Sequence, residues 1–365
     1  MGRSSVAGLT RSRASHLHAT CGIAALLLIA CGKTRSLGDG TNDARNDDPN
    51  DASGGQQQVP PFAGAFRGLT GPAGLTSCSV RAISRDGTTA AGTCWSVAPG
   101  ADSIGALWNV DEPSAPIQIG GGLRAGAVNG DGSVVFAGNG TTMFRWKEGQ
   151  VTEIPAFTGA TDASDDGSRV VGFYNGGEND YRRACTWTEE EGRLLLPVPS
   201  SDDSSWAHAI SADGSVIVGQ LLAHTGGTQA VRWEDGQEPE LLRIPSGAGS
   251  STADAISADG KVIGGTVRIG DVERPVRWTE DRLEWLSEKR ARVVALNADG
   301  SRVLLDFEGA PYLLEPDGRL QDATELAGVD PLNGFDVWSA SDDLRVIVAD
   351  FERGERTNAY VLRLP

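Results

Sequence analysis

The stretch Ala209-Ile210-Ser211-Ala212-Asp213-Gly214-Ser215-Val216-Ile217-Val218-Gly219 decides the fold, because the chain says it more than once. A near copy runs Ala255-Ile256-Ser257-Ala258-Asp259-Gly260-Lys261-Val262-Ile263-Gly264-Gly265. The shared phrase is a small apolar run, Ser or Asn, one further residue, Asp, in all but the last copy Gly, and then more apolar residues. Its aspartates are Asp86, Asp131, Asp166, Asp213, Asp259, Asp299 and Asp343, at intervals of 45, 35, 47, 46, 40 and 44 residues. Those intervals match one four-stranded propeller blade.

Around each aspartate the chemistry is that of a hairpin. Ser-Ala-Asp-Gly-Ser between apolar runs reads as a three-residue loop, with a type I turn on Ala-Asp and Gly in the left-handed region. The Asp side chain can hold nearby amides and so preset the turn. A second phrase follows and usually ends in Trp: Trp108, Trp146, Trp187, Trp233 and Trp278, decaying to Pro311–Leu314 and Ala359–Leu362. A third, often closed by Pro, covers 151–155, 194–197 and 241–245, with weaker copies at 117–119, 283–286 and 320–326. Each unit thus holds four strands. The chain ends on a Trp-type strand and opens, at Phe66 to Pro72, on an unpartnered fourth-type strand. The reading is an all-β, seven-bladed β-propeller of four-stranded antiparallel blades, closed by a blade composed of both chain ends. Such closure leaves only short edges, which a linear array would not gain. No useful window has helical periodicity, and 48 glycines in 365 residues oppose long helices.

The first sixty residues differ. Arg3, Arg11 and Arg13 precede an apolar run, Cys21 to Ala30, that is too short to span a bilayer. The run ends Leu28-Ile29-Ala30-Cys31 and resembles the lipobox of bacterial lipoproteins, which implies acylation of Cys31. Residues 1–30 then read as a lipoprotein signal peptide, 31–60 as a lipidated, solvated tether and 61–365 as the propeller. Several acyl chains on one residue give stable membrane attachment. Removing residues 1–30 leaves 29 basic against 49 acidic residues, a net −20. That surface repels nucleic acid, and no basic stripe offsets it.

Cys78 and Cys94 stand symmetrically about the first Asp-Gly turn. They are expected to face each other across the hairpin and, in an exported protein, to form a disulfide. Cys185 precedes Thr186-Trp187, where other copies carry Val, and reads as a buried, inert thiol.

No candidate chemistry stands out by spacing. Past the signal only His208 and His224 occur, with no metal-ligand pattern near either, and neither a nucleophile elbow nor a phosphate loop is present. No metal or cofactor is expected. The seven aspartates occupy equivalent turns, so they form a ring of separate turns rather than one acidic site. The repeated tryptophans read as blade packing. Aromatics and arginines off the repeat phase are better binding candidates: Trp95, Tyr181, Arg182, Arg183, Trp206, Arg353 and Arg356.

Ala-Ile-Ser-Ala-Asp-Gly-x-Val-Ile-Val-Gly followed by Ala-Val-Arg-Trp resembles the bacterial extracellular repeat family called HAF, over most of residues 75–365. Gln229-Ala230-Val231 and Arg183-Ala184-Cys185 stand where that family has His-Ala-Phe. The resemblance implies export and a repeat propeller without an agreed chemistry. The expected protein is lipid-anchored in a bacterial envelope, at the outer membrane or cell surface, and serves as a non-catalytic binding or scaffold module for envelope protein or glycan. The alternative is a hydrolase or lyase acting on surface polysaccharide. A central funnel lined by two or more carboxylates with Arg or His favours that alternative, and one lined by small residues excludes it.

Overall fold

In the computed structural model the described residues are 65–96, 103–176, 182–200, 204–222, 227–235, 237–280, 282–329, 334–353 and 356–365. The signal segment, the tether with Cys31, and both Tyr181 and His224 lie outside them. Seven four-stranded antiparallel sheets follow one another along the chain. Their innermost strands are Ser77–Ile83, Arg124–Val128, Gly159–Ala163, Ser204–Ile210, Ser250–Ile256, Arg292–Leu296 and Phe335–Ala340. Each packs on the next and the seventh packs on the first, so the sheets are the blades of a propeller around one channel. In the seventh blade the outer strand is Phe66–Leu69, antiparallel to Arg356–Arg363 with Phe66 opposite Leu362.

The turn phrase is a hydrogen-bonding device. Ser211 donates its hydroxyl to Asp213 Oδ1 (2.7 Å) and accepts the Val216 amide on the same oxygen (3.0 Å). Asp213 Oδ1 also accepts the amide and hydroxyl of Ser215. Asparagine does the same work in the second blade, where Asn129 Oδ1 accepts from Val134 and Nδ2 donates to Asp131. The loop has four residues rather than the expected three, because Ser211 pairs with Val216 and the type I turn is closed by Gly214 N–H to Ser211 C=O (3.0 Å). Four-residue hairpin loops are commonly built around that turn. Gly214 sits at φ +77°, as expected; in the seventh turn Leu344 holds the same conformation at +56°.

The extra loop residue is balanced by a bulge. Every innermost strand slips register by one residue, at Arg81, Gly126, Thr161, His208, Asp254, Val294 and Trp338, each five positions before its turn aspartate. The bulge brings the Trp206 carbonyl so near Gly219 that a Cβ there would lie 1.9 Å from it, which explains the glycine closing the phrase. It also restores the pairing of Cys78 with Cys94, which form a disulfide at a Cα separation of 4.1 Å.

Between blades the core is apolar, with Val80, Trp108, Val348 and Val361 joining the first blade to the seventh. Repeated tryptophans staple neighbours: indole N–H groups of Trp108, Trp233 and Trp278 donate to Thr70, Pro197 and Arg243 carbonyls, each at 2.8 Å. The turns are tied directly as well. Gly130 N–H donates to Asp165 C=O, Asp165 to Ala212, Ala212 to Ala258, Ala258 to Ala298, Ala298 to Asp342, Asp342 to Arg85, and Asp86 to Gly130. These seven bonds close a circle. Cys185 is buried, as expected, and burial pushes its thiol up to about 12, which disfavours the reactive thiolate. Two expected strands differ: of 241–245 only Leu241 is extended, and of 320–326 only Leu320–Asp322 is. Ala323–Leu326 forms a helical turn, because Asp322 caps it by accepting the amides of Thr324 and Glu325.

Candidate functional site

All seven innermost strands line the central channel, and the residues that break the repeat give it its chemistry. Asp162, Asp254 and Asp342 face it together with Arg81, Arg85 and His208. Its composition therefore meets the condition stated for an enzyme. The bonding of these groups is more restrictive.

At the turn end, Arg85 lies across the mouth from the first blade. Its Nε reaches Asp165 Oδ1 at 2.9 Å and its Nη2 donates to the Ile210 carbonyl at 2.7 Å, while Asp342 and Asp162 stand 3.7 and 3.9 Å from the guanidinium. Asp162 also accepts the Ile210 and Ala163 amides. Burial raises the pKa of Asp162 against the pull of Arg85 and those amides. Burial likewise pushes Asp342 up to about 6, with Arg85 opposing and Asp165 and Asp162 adding to the rise. One arginine thus serves several carboxylates at this end.

In the channel wall two bulge residues from adjacent blades meet. His208 Nδ1 lies 3.2 Å from Asp254 Oδ1 and 3.0 Å from the Ala253 carbonyl. A proton on Nδ1 serves both acceptors and leaves Nε2 as the basic nitrogen. Among the described residues no group of three or more His, Cys, Asp or Glu is placed to hold a metal ion.

The opposite face, away from the turns, is open. A groove of about 520 Å³ runs there between the seventh, first and second blades, lined by Arg81, Trp95, Arg124, Asp336, Trp338 and Glu352 among others. Its floor is organised from below. Asp350 is 3% exposed and accepts from the Ser79 hydroxyl, the Val80 amide (2.8 Å) and Trp338 Nε1 (2.9 Å). Burial raises its pKa, with those donors and Arg81 opposing. Trp338, so fixed, carries the Arg81 guanidinium over its ring, with Cζ 3.6 Å from the ring centroid. A second groove of about 510 Å³, between the fifth and sixth blades, shares Asp254 with the channel.

The expected binding residues divide among these places. Trp95 is in the groove between the seventh, first and second blades. Arg182 and Trp206 meet on the same open face, the guanidinium 5.5 Å from the indole and 4.5 Å from Phe173. Arg183 lies next along that strand, its Nε buried without a partner. Arg353 pairs with Arg356 at the tip of the last hairpin, where Arg356 is exposed. Tyr181 lies outside the described residues. Sequence reasoning missed Arg81, Arg85, Asp162, Asp254, Trp338, Asp342 and Asp350. Aligning the seven phrases would have exposed three of them: the residue four before the turn aspartate is Ala in five copies and Asp162 in one, and the residue directly before it includes Arg85 and Asp342.

No family model matches the chain, and no curated protein matches it in sequence. Solved structures match in shape. The β-propeller domain of the Trilobed protease from Pyrococcus furiosus aligns with a TM-score of 0.57 at 11% identity, over 79% of this chain and 95% of that one. Oligogalacturonate lyase from Vibrio parahaemolyticus gives 0.57 at 12% identity, over 82% and 93%. A prolyl endopeptidase gives 0.55 at 11% identity, over 80% of this chain and 50% of its own. The class these establish is the seven-bladed β-propeller.

Proposed function

We propose that the chain is a non-catalytic, glycan-binding propeller of the HAF-repeat type, held on a bacterial envelope by lipid on Cys31 and taking its ligand on the face opposite the turns. The observation that carries this is the open groove beside the channel, where Trp95 stands with Arg81, Asp336 and Glu352. An aromatic face ringed by polar groups suits a sugar, which offers both C–H faces and hydroxyls. The channel suits catalysis less well, because Asp162 already accepts two backbone amides and both it and Asp342 lie against Arg85. The test is binding of the lipid-free Cys31→Ser protein to a panel of envelope glycans. Trp95→Ala should weaken retained glycans about three- to tenfold. Binding that ignores Trp95, or no glycan binding at all, rejects the reading.

A second reading, a hydrolase or lyase acting on surface polysaccharide, is favoured by the His208–Asp254 pair in the channel wall. Propellers of this shape include lyases and peptidases, and shape alone does not choose. Depolymerisation of envelope polysaccharide that disappears in His208→Gln would establish it, and absence of turnover would remove it.

A further inference from the structure

Two cations of the groove, Arg81 and Arg124, bond to no acceptor among the described residues, although Asp350 and Asp336 attract Arg81 through space. Among the described residues, neither Arg81 nor Arg124 makes a side-chain hydrogen bond or ion pair, although the chain carries 49 acidic residues against 32 basic ones. Other arginines find carboxylate partners, such as Arg302 with Glu315 and Arg277 with Glu284. Arg81 is also the better prepared of the two. It is a bulge residue, and bulges re-aim side chains beside functional sites. Its guanidinium is seated over Trp338, whose indole is fixed in turn by buried Asp350. A guanidinium seated over a ring with no hydrogen bond of its own keeps its N–H groups available, and their fork matches a carboxylate in two parallel bonds.

Asp350 does not use up this charge. Its carboxylate already accepts three hydrogen bonds, from Ser79, Val80 and Trp338. It lies behind the stack as a counter-charge that makes the groove tolerable without filling the acceptor role. The other anions of the groove, Asp336 and Glu352, are exposed and suit ligand hydroxyls, as do Thr93, Ser103 and Thr357. Trp95 offers the aromatic face.

We propose that the groove reads an acidic sugar, with the Arg81 edge bonding bidentately to a uronate carboxylate, Arg124 adding charge and Trp95 receiving the ring face. This rests on the glycan-binding reading and sharpens it to a chemical class. A hydroxyl-rich lining with an aromatic platform favours a sugar over an acidic peptide as the bearer of the carboxylate.

The test is a comparison of uronate-containing oligosaccharides with the same oligosaccharides after reduction of the carboxyl to the alcohol, by calorimetry on the Cys31→Ser protein. Carboxyl reduction should lower affinity about ten- to a hundredfold, as expected for a charge-assisted bidentate contact. Arg81→Gln should lower affinity for the acidic form by a similar factor and leave the reduced form nearly unchanged. That non-additive pattern is not produced by general damage to the groove. Arg81→Lys keeps the charge, lacks the fork, and should recover only part of the loss, with unfolding midpoints confirming that both variants fold. Equal binding of acidic and reduced forms overturns the uronate proposal while leaving the glycan reading intact. Binding to acidic peptides and to no oligosaccharide overturns both.

Discussion

Leu344 sets two stability rules against each other. Six turns place glycine at this position, and the seventh places leucine at φ +56°. The repeat pattern recommends Leu344→Gly as a stabilising change, since left-handed conformation costs a residue with a Cβ about 1–2 kcal/mol. Yet Leu344 is fully buried and packs with Leu304, Leu313 and Ile347. Emptying such a site to alanine costs about 3–4 kcal/mol. Glycine removes the strain but adds about 0.5–1 kcal/mol of freedom to the unfolded chain. The balance is a loss of about 2–3 kcal/mol for Leu344→Gly and somewhat more for Leu344→Ala. For a folded unit of roughly 300 residues, Val59–Pro365, 2–3 kcal/mol corresponds to about 3–5 °C in the unfolding midpoint. Thermal and urea unfolding of the three proteins should rank leucine above glycine above alanine. A Leu344→Gly protein as stable as the parent would refute the reasoning, because burial would then be worth no more than the strain it imposes. An alanine variant above the glycine variant would separately show that the strain is small.

Two further expectations concern stability. Reducing the Cys78–Cys94 disulfide, or replacing both with Ser, opens a loop with a sequence separation of 16 and should cost about 3 kcal/mol, read as a lower unfolding midpoint in reductant that the double variant no longer shows. Asp342 has a folded pKa raised to about 6, so its contribution to stability is fully present below the ordinary carboxylate value of about 4 and is lost as pH rises through about 6. The turn aspartates Asp131, Asp166, Asp213, Asp259 and Asp299 are lowered, chiefly by hydrogen bonds from Ser133, Ser168, Ser215, Lys261 and Ser301 respectively, so their contribution is present above about 4 and lost on further acidification. Unfolding midpoints should therefore fall from pH 5 towards 7 in the parent and fall less in Asp342→Asn; an unchanged slope in the variant would place the titration elsewhere.

The fold was legible because its determinants are local and repeated. Ser211, Asp213 and Gly214 do their work within five residues, so the pattern reports the geometry directly. The bulge at His208 was not visible as such, since a one-residue slip arises from how loop length and strand pairing are reconciled and leaves only an indirect trace in Gly219. For the candidate site the difficulty was different. Trp95 could be picked out as an aromatic off the repeat phase, but Arg85 finds its acids in the third and seventh blades, and His208 meets Asp254 across a blade boundary. Such meetings follow from curvature, which no single repeat encodes. Asp350 was hidden twice over, being a carboxylate in an apolar run and meeting its partners, Ser79, Val80 and Trp338, only in the folded protein.

The circle of seven turn-to-turn bonds makes the order of the blades arbitrary. A stacked linear array has two terminal units, each held from one side only, and loosens from there inwards. Here every turn both gives and receives, so losing one link leaves each neighbour still held from its far side, and detaching a blade requires two separate ruptures. Folding carries the mirror-image burden: the last link cannot form until all seven sheets stand at the correct angle. A chain one unit short or one unit long would have to bend every other junction to meet itself, which makes the number seven a property of the whole circuit and of no blade in it.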